Sequence, residues 1–218
     1  MCAIFGSKDK EKFIELADLN QYRGNFAWST SIFVTGGLRH YASAESLIHI
    51  MTNEGQGDFK NVITDYDEDG DHGPFITYYL GHVQAPTTDN PKTHPSNINN
   101  DLLWHNGIIK DYQVQDWKHE YGSVDWDTEL LHRHLLLGGK LDNIDGTFSC
   151  ARYDKENLFL FRNEISPLFY DDDMNISSTK FENSIDTEAG VMYQVDFQQN
   201  VLEPINRFET KENPYYFG

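Results

Sequence analysis

The sequence predicts an α+β fold built mainly from antiparallel sheets. Short runs rich in β-branched and aromatic residues fill the last third of the chain, where turn residues separate them. A second group of such runs lies in the first half, and helical patterns lie between the two groups. Because strands and helices do not alternate regularly, the pattern disfavours a parallel sheet made of βαβ units.

The first half of the chain begins with a short strand and a helix. The apolar run at residues 3–5 predicts a buried strand. Ser7 is expected to cap a helix over residues 8–19, because the apolar residues there recur with helical spacing. Gly36 and Gly37 predict a turn inside a hairpin. The other predicted elements are strands at 28–35, 38–42, 75–83 and 102–104, and a helix at 44–51.

The second half contains one predicted helix followed by strands. The helix covers residues 126–137 and ends at Gly138 and Gly139, where glycine can adopt the left-handed conformation of a helix cap. Cys150 alternates within an apolar strand and is expected in the core. The predicted strands are 147–153, 158–162, 168–170, 176–178 and 191–197.

Composition predicts one domain spanning residues 1–218. The chain is 39% hydrophobic and 14% aromatic, enough for one substantial core, and no Pro/Gly/Ser-rich linker divides it. No apolar run approaches the roughly 20 residues of a membrane span, and no export signal precedes the first strand. With Cys2 and Cys150 as the only cysteines, we expect a cytoplasmic protein without a disulfide framework.

The charge of the chain argues against nucleic-acid and membrane partners. The formal net charge is −18, with 35 acidic and 17 basic residues, and it repels phosphate backbones and anionic lipids. Solubility explains such acidity, and an acidic docking surface for a basic partner is the alternative.

The second residue, Cys2, is a candidate nucleophile. Removal of Met1 makes Cys2 the N-terminal residue, which then carries a thiol with a pKa near ~8.5 and an α-amine with a pKa near ~8. The amine can therefore act as the base for its own side chain. An ordinary buried cysteine is the alternative.

Six later segments, read with Cys2, resemble the glutaminase domain of class II glutamine amidotransferases, a group of N-terminal-nucleophile hydrolases. Asparagine synthetase is the nearest member by eye. The resemblance covers about residues 2–181 and implies a four-layer αββα sandwich with two mainly antiparallel sheets. The segments, in order, are QYRGN at 21–25, GHVQAPT at 81–87, WHNGII at 104–109, DTEL at 127–130, the stretch 141–153 that contains DGTF, and FRNEISPLFY at 161–170.

The resemblance implies that Cys2 attacks the side-chain amide of glutamine, releases ammonia and leaves a thioester that water hydrolyses. The side-chain amide of Asn106 and the backbone N–H of Gly107 would form the oxyanion hole, and loss of such a donor costs ~10²–10³ in rate. Taken alone, Asn-Gly is a strong signal for a hairpin turn.

Two further roles follow from the resemblance. Asp127 would pair with the α-ammonium of glutamine, a charge-assisted contact of ~1.5–3 kcal/mol. Asp127 also precedes a predicted helix and can serve as its N-cap. Arg23 would lie beside the nucleophile and favour its thiolate, although an Arg-Gly pair is often only a turn.

Gln84 departs from the family pattern. The resemblance places an arginine there, which grips the substrate α-carboxylate through a charged, bidentate fork. Glutamine offers only neutral hydrogen bonds, so glutamine binding should weaken by ~1–3 kcal/mol. Thr87, at a position that offers a hydroxyl and backbone to the same carboxylate, offsets this only in part. Either another cation compensates, or the substrate is not free glutamine.

Neither a metal nor another cofactor is expected. Residues 65–71 copy the first positions of an EF-hand loop, but Ile76 stands where the bidentate glutamate is required, which favours a solvated acidic loop. His132 and His134 are two apart on a predicted helix and point to different faces, a poor spacing for a metal pair.

We therefore expect a stand-alone glutaminase or amidotransferase subunit that passes ammonia to a separate synthetase subunit or releases it. The chain lacks the pyrophosphate-binding SGGxDS element, so asparagine synthesis with ATP is not expected within it. One alternative is an N-terminal Cys amidohydrolase acting on another amide. The other is a catalytically weak interaction protein on the same fold.

Overall fold

Two facing sheets organise the computed structural model, which describes residues 2–24, 27–34, 37–43, 76–85, 92–142 and 144–209. The strands are β1 Ala3–Ser7, β2 Ala27–Val34, β3 Gly37–Ser43, β4 Ile76–Gln84, β5 Ser96–Ile98, β6 Asp101–Ile109, β7 Gly146–Tyr153, β8 Leu158–Arg162, β9 Phe169–Tyr170, β10 Ile176–Ser177, β11 Ile185–Asp186, β12 Val191–Asp196 and β13 Val201–Arg207. The helices are α1 Lys10–Asn20, α2 Asp111–Tyr121 and α3 Asp127–Leu136, with a 3₁₀ turn at Gln21–Arg23.

Within the described ranges, seven strands form the first sheet in the order β11-β9-β10-β1-β4-β2-β3. Six strands form the second sheet in the order β13-β12-β8-β7-β6-β5. The pairings in both sheets are antiparallel, and short connections join five of the eleven neighbouring pairs. Strand β1 is central in its sheet, between β4 and β10, which buries the start of the chain.

Three apolar clusters define four layers. One packs α1 against the outer face of the first sheet, through residues such as Phe13 and Phe5. A second fills the space between the sheets, where Ile4 meets Trp104. The third packs α2 and α3 on the outer face of the second sheet. The predicted αββα sandwich is confirmed.

The first helix is capped differently from the sequence prediction. Ser7 belongs to β1 rather than to a cap, and α1 begins at Lys10. Asp9 is the N-cap, and its carboxylate accepts a hydrogen bond from the backbone N–H of Lys12 at 2.7 Å. Strand β1 continues two residues beyond the apolar run at 3–5 and so includes Ser7. The Ser7 hydroxyl donates to Asn175 Oδ1 at 2.6 Å.

Asn106-Gly107 is not a hairpin turn, as its dipeptide alone would suggest. Both residues lie inside β6, which runs on to Ile109 and pairs with β7 along its length. The sequence reading also missed helix α2, because Asp111–Tyr121 presents only Trp117 as a buried apolar residue. Short strands β5, β11 and β13 were missed as well, since they are brief or exposed.

Three sequence features lie outside the described residues. They are the predicted helix at 44–51, the acidic loop at 65–71 and Thr87. No helix in the described part of the chain is long and apolar enough to cross a membrane.

Candidate active site

Cys2 lies at the entry to β1, beside the end of β4 in the same sheet. Its side chain is 7% exposed, and its Sγ lies 3.7 Å from the backbone carbonyl of Ala85, just past the end of β4. Residue Ala3 pairs with Val83 in β4, which fixes the thiol beside that strand end. Tertiary pairing therefore brings residues 2 and 85 together.

Arg23 holds the backbone around Cys2 rather than the thiol itself. Its Nε donates to the carbonyl of Cys2 at 3.1 Å, and a terminal nitrogen donates to the carbonyl of Ser178 at 3.4 Å. The 3₁₀ turn that follows α1 delivers the guanidinium to this place. The predicted neighbourhood of Arg23 and Cys2 is present.

Ser178 links the two sheets and was not found from the sequence. Its hydroxyl accepts hydrogen bonds from the backbone N–H of Ile4 at 2.9 Å and from Asn106 Nδ2 at 3.3 Å. Its own N–H donates to the carbonyl of Ile4 at 2.8 Å. Strand β1 in one sheet and Asn106 in the other are thus joined through one buried hydroxyl. A lone serine in a short strand-like run carries no signal of this.

Gly107 lies where no side chain fits. A Cβ there would be 1.9 Å from the carbonyl oxygen of Thr147 and 2.8 Å from His105 Nε2. The glycine therefore lets β6 and β7 approach closely beside Asn106.

The open edge of β6 presents backbone groups to the site. Strand β5 pairs only with residues 101–103 of β6. Beyond them, the carbonyl of His105 meets His82 Nε2 at 3.3 Å, and the N–H of Ile109 donates to Asp127 Oδ2 at 3.2 Å. Because backbone groups of alternate residues point to the same side of a strand, the N–H of Gly107 is directed to this edge as well.

Asp127 is the first residue of α3 and not its N-cap; the N-cap of α3 is Trp126. The Asp127 carboxylate accepts hydrogen bonds from the N–H of Thr128 at 2.8 Å and of Ile109 at 3.2 Å. It therefore ties the helix start to the end of β6, and the positive end of the helix dipole favours its charge.

The environment of Cys2 favours the neutral thiol. Burial raises the pKa of Cys2 above its ordinary value, and the charge of Asp127 adds to this increase. The guanidinium of Arg23 acts in the opposite direction. Since burial is the largest cause, attack by this sulfur requires a base.

Gln84 is buried and held at both ends of its amide. It is 4% exposed; its Nε2 donates to the carbonyl of Lys92 at 2.7 Å, and its Oε1 lies 3.1 Å from His94 Nδ1. Lys92 Nζ is itself 2.9 Å from Glu129, in an exposed ion pair. Position 84 thus joins the strand β4 to the segment that follows residue 91.

Three buried histidines, His82, His94 and His105, lie near one another, and their arrangement was not predicted; of the three, His94 contacts Gln84. The rings of His82 and His94 are stacked with centroids 3.9 Å apart. Burial lowers the pKa of His82 to about 3, and burial together with the neighbouring imidazoles lowers the pKa of His94 well below its usual value. His105 precedes Asn106 in β6. No pattern in the sequence distinguishes this cluster from histidines scattered along the chain.

The two histidines of α3 have separate partners. His132 Nε2 lies 2.8 Å from Asp101 and its Nδ1 lies 3.0 Å from Ser96. His134 contacts the hydroxyl of Tyr121 at 2.9 Å. Among the described residues, no group of three histidine, cysteine or acidic side chains is arranged to hold a metal ion.

Comparison with known proteins supports the fold. No protein family and no curated protein matches this sequence. The glutamine phosphoribosylpyrophosphate amidotransferase of B. subtilis, solved in complex with ADP and GMP, matches with a TM-score of 0.65 at 16% identity, over 89% of this chain and 47% of that one. A structure described as the allosteric regulatory enzyme of purine biosynthesis matches with a TM-score of 0.66 at 15% identity, over 94% of this chain and 49% of that one.

These similarities show a shared fold with glutamine amidotransferases. The chain spans about half the length of each of the two proteins. Neither of the two is an asparagine synthetase, so the nearer resemblance to that enzyme stays a prediction.

Proposed function

We propose that this chain is a class II glutamine amidotransferase-type amidohydrolase with Cys2 as its nucleophile. One observation carries the proposal. The residue that becomes N-terminal after removal of Met1 directly precedes β1, which Ser178 joins to Asn106, on a fold shared with a glutamine amidotransferase. A candidate nucleophile near the start of the chain and a candidate oxyanion donor near its middle are thus linked through Ser178.

In the proposed reaction the α-amine of Cys2 takes the thiol proton, and the sulfur attacks the amide carbon of the substrate. The carbonyl oxygen gains the charge and is met by Asn106 Nδ2 and the N–H of Gly107. An amide NH₂ has two protons, so Asn106 can donate one to Ser178 and the other to this oxygen. The ammonium of Cys2 returns its proton to the departing nitrogen as ammonia leaves, and water hydrolyses the thioester to a carboxylate and the thiol.

Because the pKa of Cys2 is raised, the proposed activity requires removal of Met1. A buried thiol is a poor nucleophile until a base removes its proton. The α-amine is freed only when the preceding peptide bond is cut, so the unprocessed chain should be inactive. Met1 itself lies outside the described residues.

Asp127 and Arg23 take supporting roles in the proposal. Each Asp127 oxygen already accepts one backbone hydrogen bond and retains a lone pair for a substrate ammonium. Arg23 holds the carbonyl of Cys2 and so orients the nucleophilic residue. We further propose that ammonia is passed to a separate acceptor enzyme or released.

The state of Gln84 favours a second candidate, an amidohydrolase for an amide other than free glutamine. Its amide is occupied by Lys92 and His94, and it carries no charge to balance an α-carboxylate. A substrate whose carboxylate is masked, such as a γ-glutamyl or N-acyl amide, would not need an arginine there.

Ammonia release from purified protein tests the proposal. The mass of the mature protein first establishes whether Met1 is gone. We expect steady ammonia release from glutamine that is abolished by Cys2→Ala and retained in Cys150→Ala, which removes the other thiol from a strand in the core. Hydrolysis of γ-glutamyl or N-acyl amides in preference to glutamine would favour the second candidate. An intact Met1 with an inert Cys2 would contradict both.

A further inference from the structure

A chain of five buried hydrogen-bond contacts runs behind the proposed site. We call it the histidine chain; it joins two backbone carbonyls through four side chains. In order, the contacts are Lys92 O to Gln84 Nε2 at 2.7 Å, Gln84 Oε1 to His94 Nδ1 at 3.1 Å, His94 Nε2 to Thr128 Oγ1 at 3.2 Å, Thr128 Oγ1 to His105 Nδ1 at 3.2 Å, and His105 Nε2 to Thr147 O at 3.2 Å.

Three of the four side chains in the histidine chain are sequence neighbours of groups in the proposed site. Gln84 precedes Ala85, whose carbonyl contacts the Cys2 sulfur. Thr128 follows Asp127, and His105 precedes Asn106. The chain therefore connects the strand end, the helix start and the strand that carry the site.

The histidine chain is one proton short. Its two ends are carbonyl oxygens, which only accept hydrogen bonds. Within the chain a neutral histidine donates once, the threonine hydroxyl donates once, and the amide of Gln84 donates at one end only. Four members thus supply four protons for five contacts, whichever way the amide and the rings are turned. One contact must remain unmade, unless one ring carries an extra proton.

The neutral alternative is favoured at neutral pH. A charged ring would be buried beside two other imidazoles, and burial already lowers the pKa of His94 well below its usual value. Around it lie His82, His105, Gln84, Thr128 and the edge of Trp126. Leaving one hydrogen bond unmade costs less than burying an unpaired charge.

The other two buried histidines of the described residues, His82 and His132, have no such shortage; His82 makes one hydrogen-bond contact, from its Nε2 to the carbonyl of His105, and has one proton to make it. His132 can donate to the carboxylate of Asp101 and accept from the hydroxyl of Ser96, so two protons serve two contacts. The proton shortage is therefore a property of the histidine chain and not of buried histidines in this fold.

We propose that His94 is a positioning residue whose tautomer decides whether the Gln84 amide is held or free to meet the substrate. Any one of the five contacts can be the one that lacks a proton. When the missing hydrogen bond moves from one contact to another, donor and acceptor exchange roles in every contact between the two. When it lies at either contact of Gln84, the amide loses one partner and can turn to a substrate group. This inference rests on the proposed function and gives Gln84 a specificity role that its neutral side chain alone does not explain.

Thr128→Val cuts the histidine chain at its centre without changing the side-chain shape. The half with Lys92, Gln84 and His94 then has two protons for its two contacts. The half with His105 has one proton for its one contact, with the carbonyl of Thr147. His94 should therefore become a single Nδ1–H tautomer, and Gln84 should stay held at both ends. We expect KM for the substrate to rise about tenfold with kcat within about twofold, equivalent to ~1.4 kcal/mol of binding. Thr128→Ser should restore both properties.

Ring ¹⁵N chemical shifts of the histidines test the proposal directly. The wild type should show averaged shifts for His94, from both neutral tautomers. Thr30→Val is a matched control, because its buried hydroxyl has no hydrogen-bond partner among the described residues. It should change neither the His94 shifts nor KM.

Two results would overturn the proposal. One is a single Nδ1–H tautomer for His94 in the wild type; the other is a Thr128→Val protein with unchanged His94 shifts. Because the spectra can also be recorded on the Cys2→Ala protein, they test the histidine chain even if no amide is hydrolysed. Absence of ammonia release with averaged His94 shifts would contradict the proposed function alone.

Discussion

The side-chain amide of Asn106 donates a hydrogen bond to the buried hydroxyl of Ser178 at 3.3 Å, across the interface between the two sheets. The same hydroxyl accepts the N–H of Ile4, two residues after the candidate nucleophile. The relative position of Cys2 and Asn106 therefore depends on a side chain that would touch neither the substrate carbonyl nor the leaving nitrogen.

Ser178→Ala should lower both stability and activity. Loss of the hydroxyl leaves the Ile4 N–H unpaired, at a cost of about 1–3 kcal/mol in the free energy of unfolding. It also frees Asn106 from its position, so we expect kcat for ammonia release to fall about tenfold or more. Ser184→Ala is the matched control, since that buried hydroxyl bonds to the backbone of Phe181. An equal loss of kcat in both variants would contradict the role of Ser178.

Gly107→Ala should destabilise the fold strongly. The added Cβ would lie 1.9 Å from the carbonyl of Thr147, which is backbone and cannot move aside without separating β6 from β7. We expect a loss of about 3 kcal/mol or more, measured by urea unfolding. Gly138→Ala is the comparison: its Cβ meets nothing within 4 Å, and only the φ of +82° opposes it, at about 1–2 kcal/mol. A smaller loss at position 107 than at 138 would show that β6 and β7 are farther apart.

Asp127→Asn should change two rates in opposite directions. The charge of Asp127 raises the pKa of Cys2, so its removal increases the thiolate fraction at a given pH. In the Cys150→Ala background, iodoacetamide should alkylate Cys2 about two- to threefold faster below the thiol pKa. Glutamine hydrolysis should become slower, because the proposed ammonium contact is lost. Asp125→Asn, at an exposed position nearby, should change neither rate; slower alkylation of Asp127→Asn would contradict this electrostatic relation.

Stability should fall as the pH is lowered from 6.5 towards 5. Burial lowers the pKa of His82 from 6.5 to about 3, so in this range the unfolded chain binds a proton that the folded chain does not. The stabilisation is complete above pH 6.5 and is lost as the pH approaches 3. The free energy of unfolding should decrease by about 1.4 kcal/mol per pH unit for each such histidine, and His94 adds to the slope.

Urea unfolding between pH 7 and pH 5 measures this slope. His94→Gln should have a shallower pH dependence than the wild type, whatever its stability at pH 7. His119 is an exposed residue of α2 and does not belong to the buried cluster. His119→Gln should therefore leave the slope unchanged. A flat profile for the wild type would contradict the buried, neutral state of both rings.

Local patterns were sufficient for most of the fold. Period-2 runs predicted β7 and β8 nearly to the residue, and the helical pattern with its terminal glycines predicted α3. Helix α2 was missed because a helix with one buried side chain has almost no apolar periodicity. The strand at 102–104 was predicted too short for a different reason: Asn106-Gly107 has a local preference for a turn. The pairing of β6 with β7 overrides that preference.

The sequence by itself determined the grouping of strands and helices, the early cysteine and the neutral residue at position 84, because these depend on residue type and short-range spacing. Only the tertiary structure decided that Ser178 joins Ile4 to Asn106, and that Gln84, His94, Thr128 and His105 form one chain. Those contacts join residues 10 to 174 positions apart. Their geometry follows from strand order and sheet packing, which no local sequence pattern encodes.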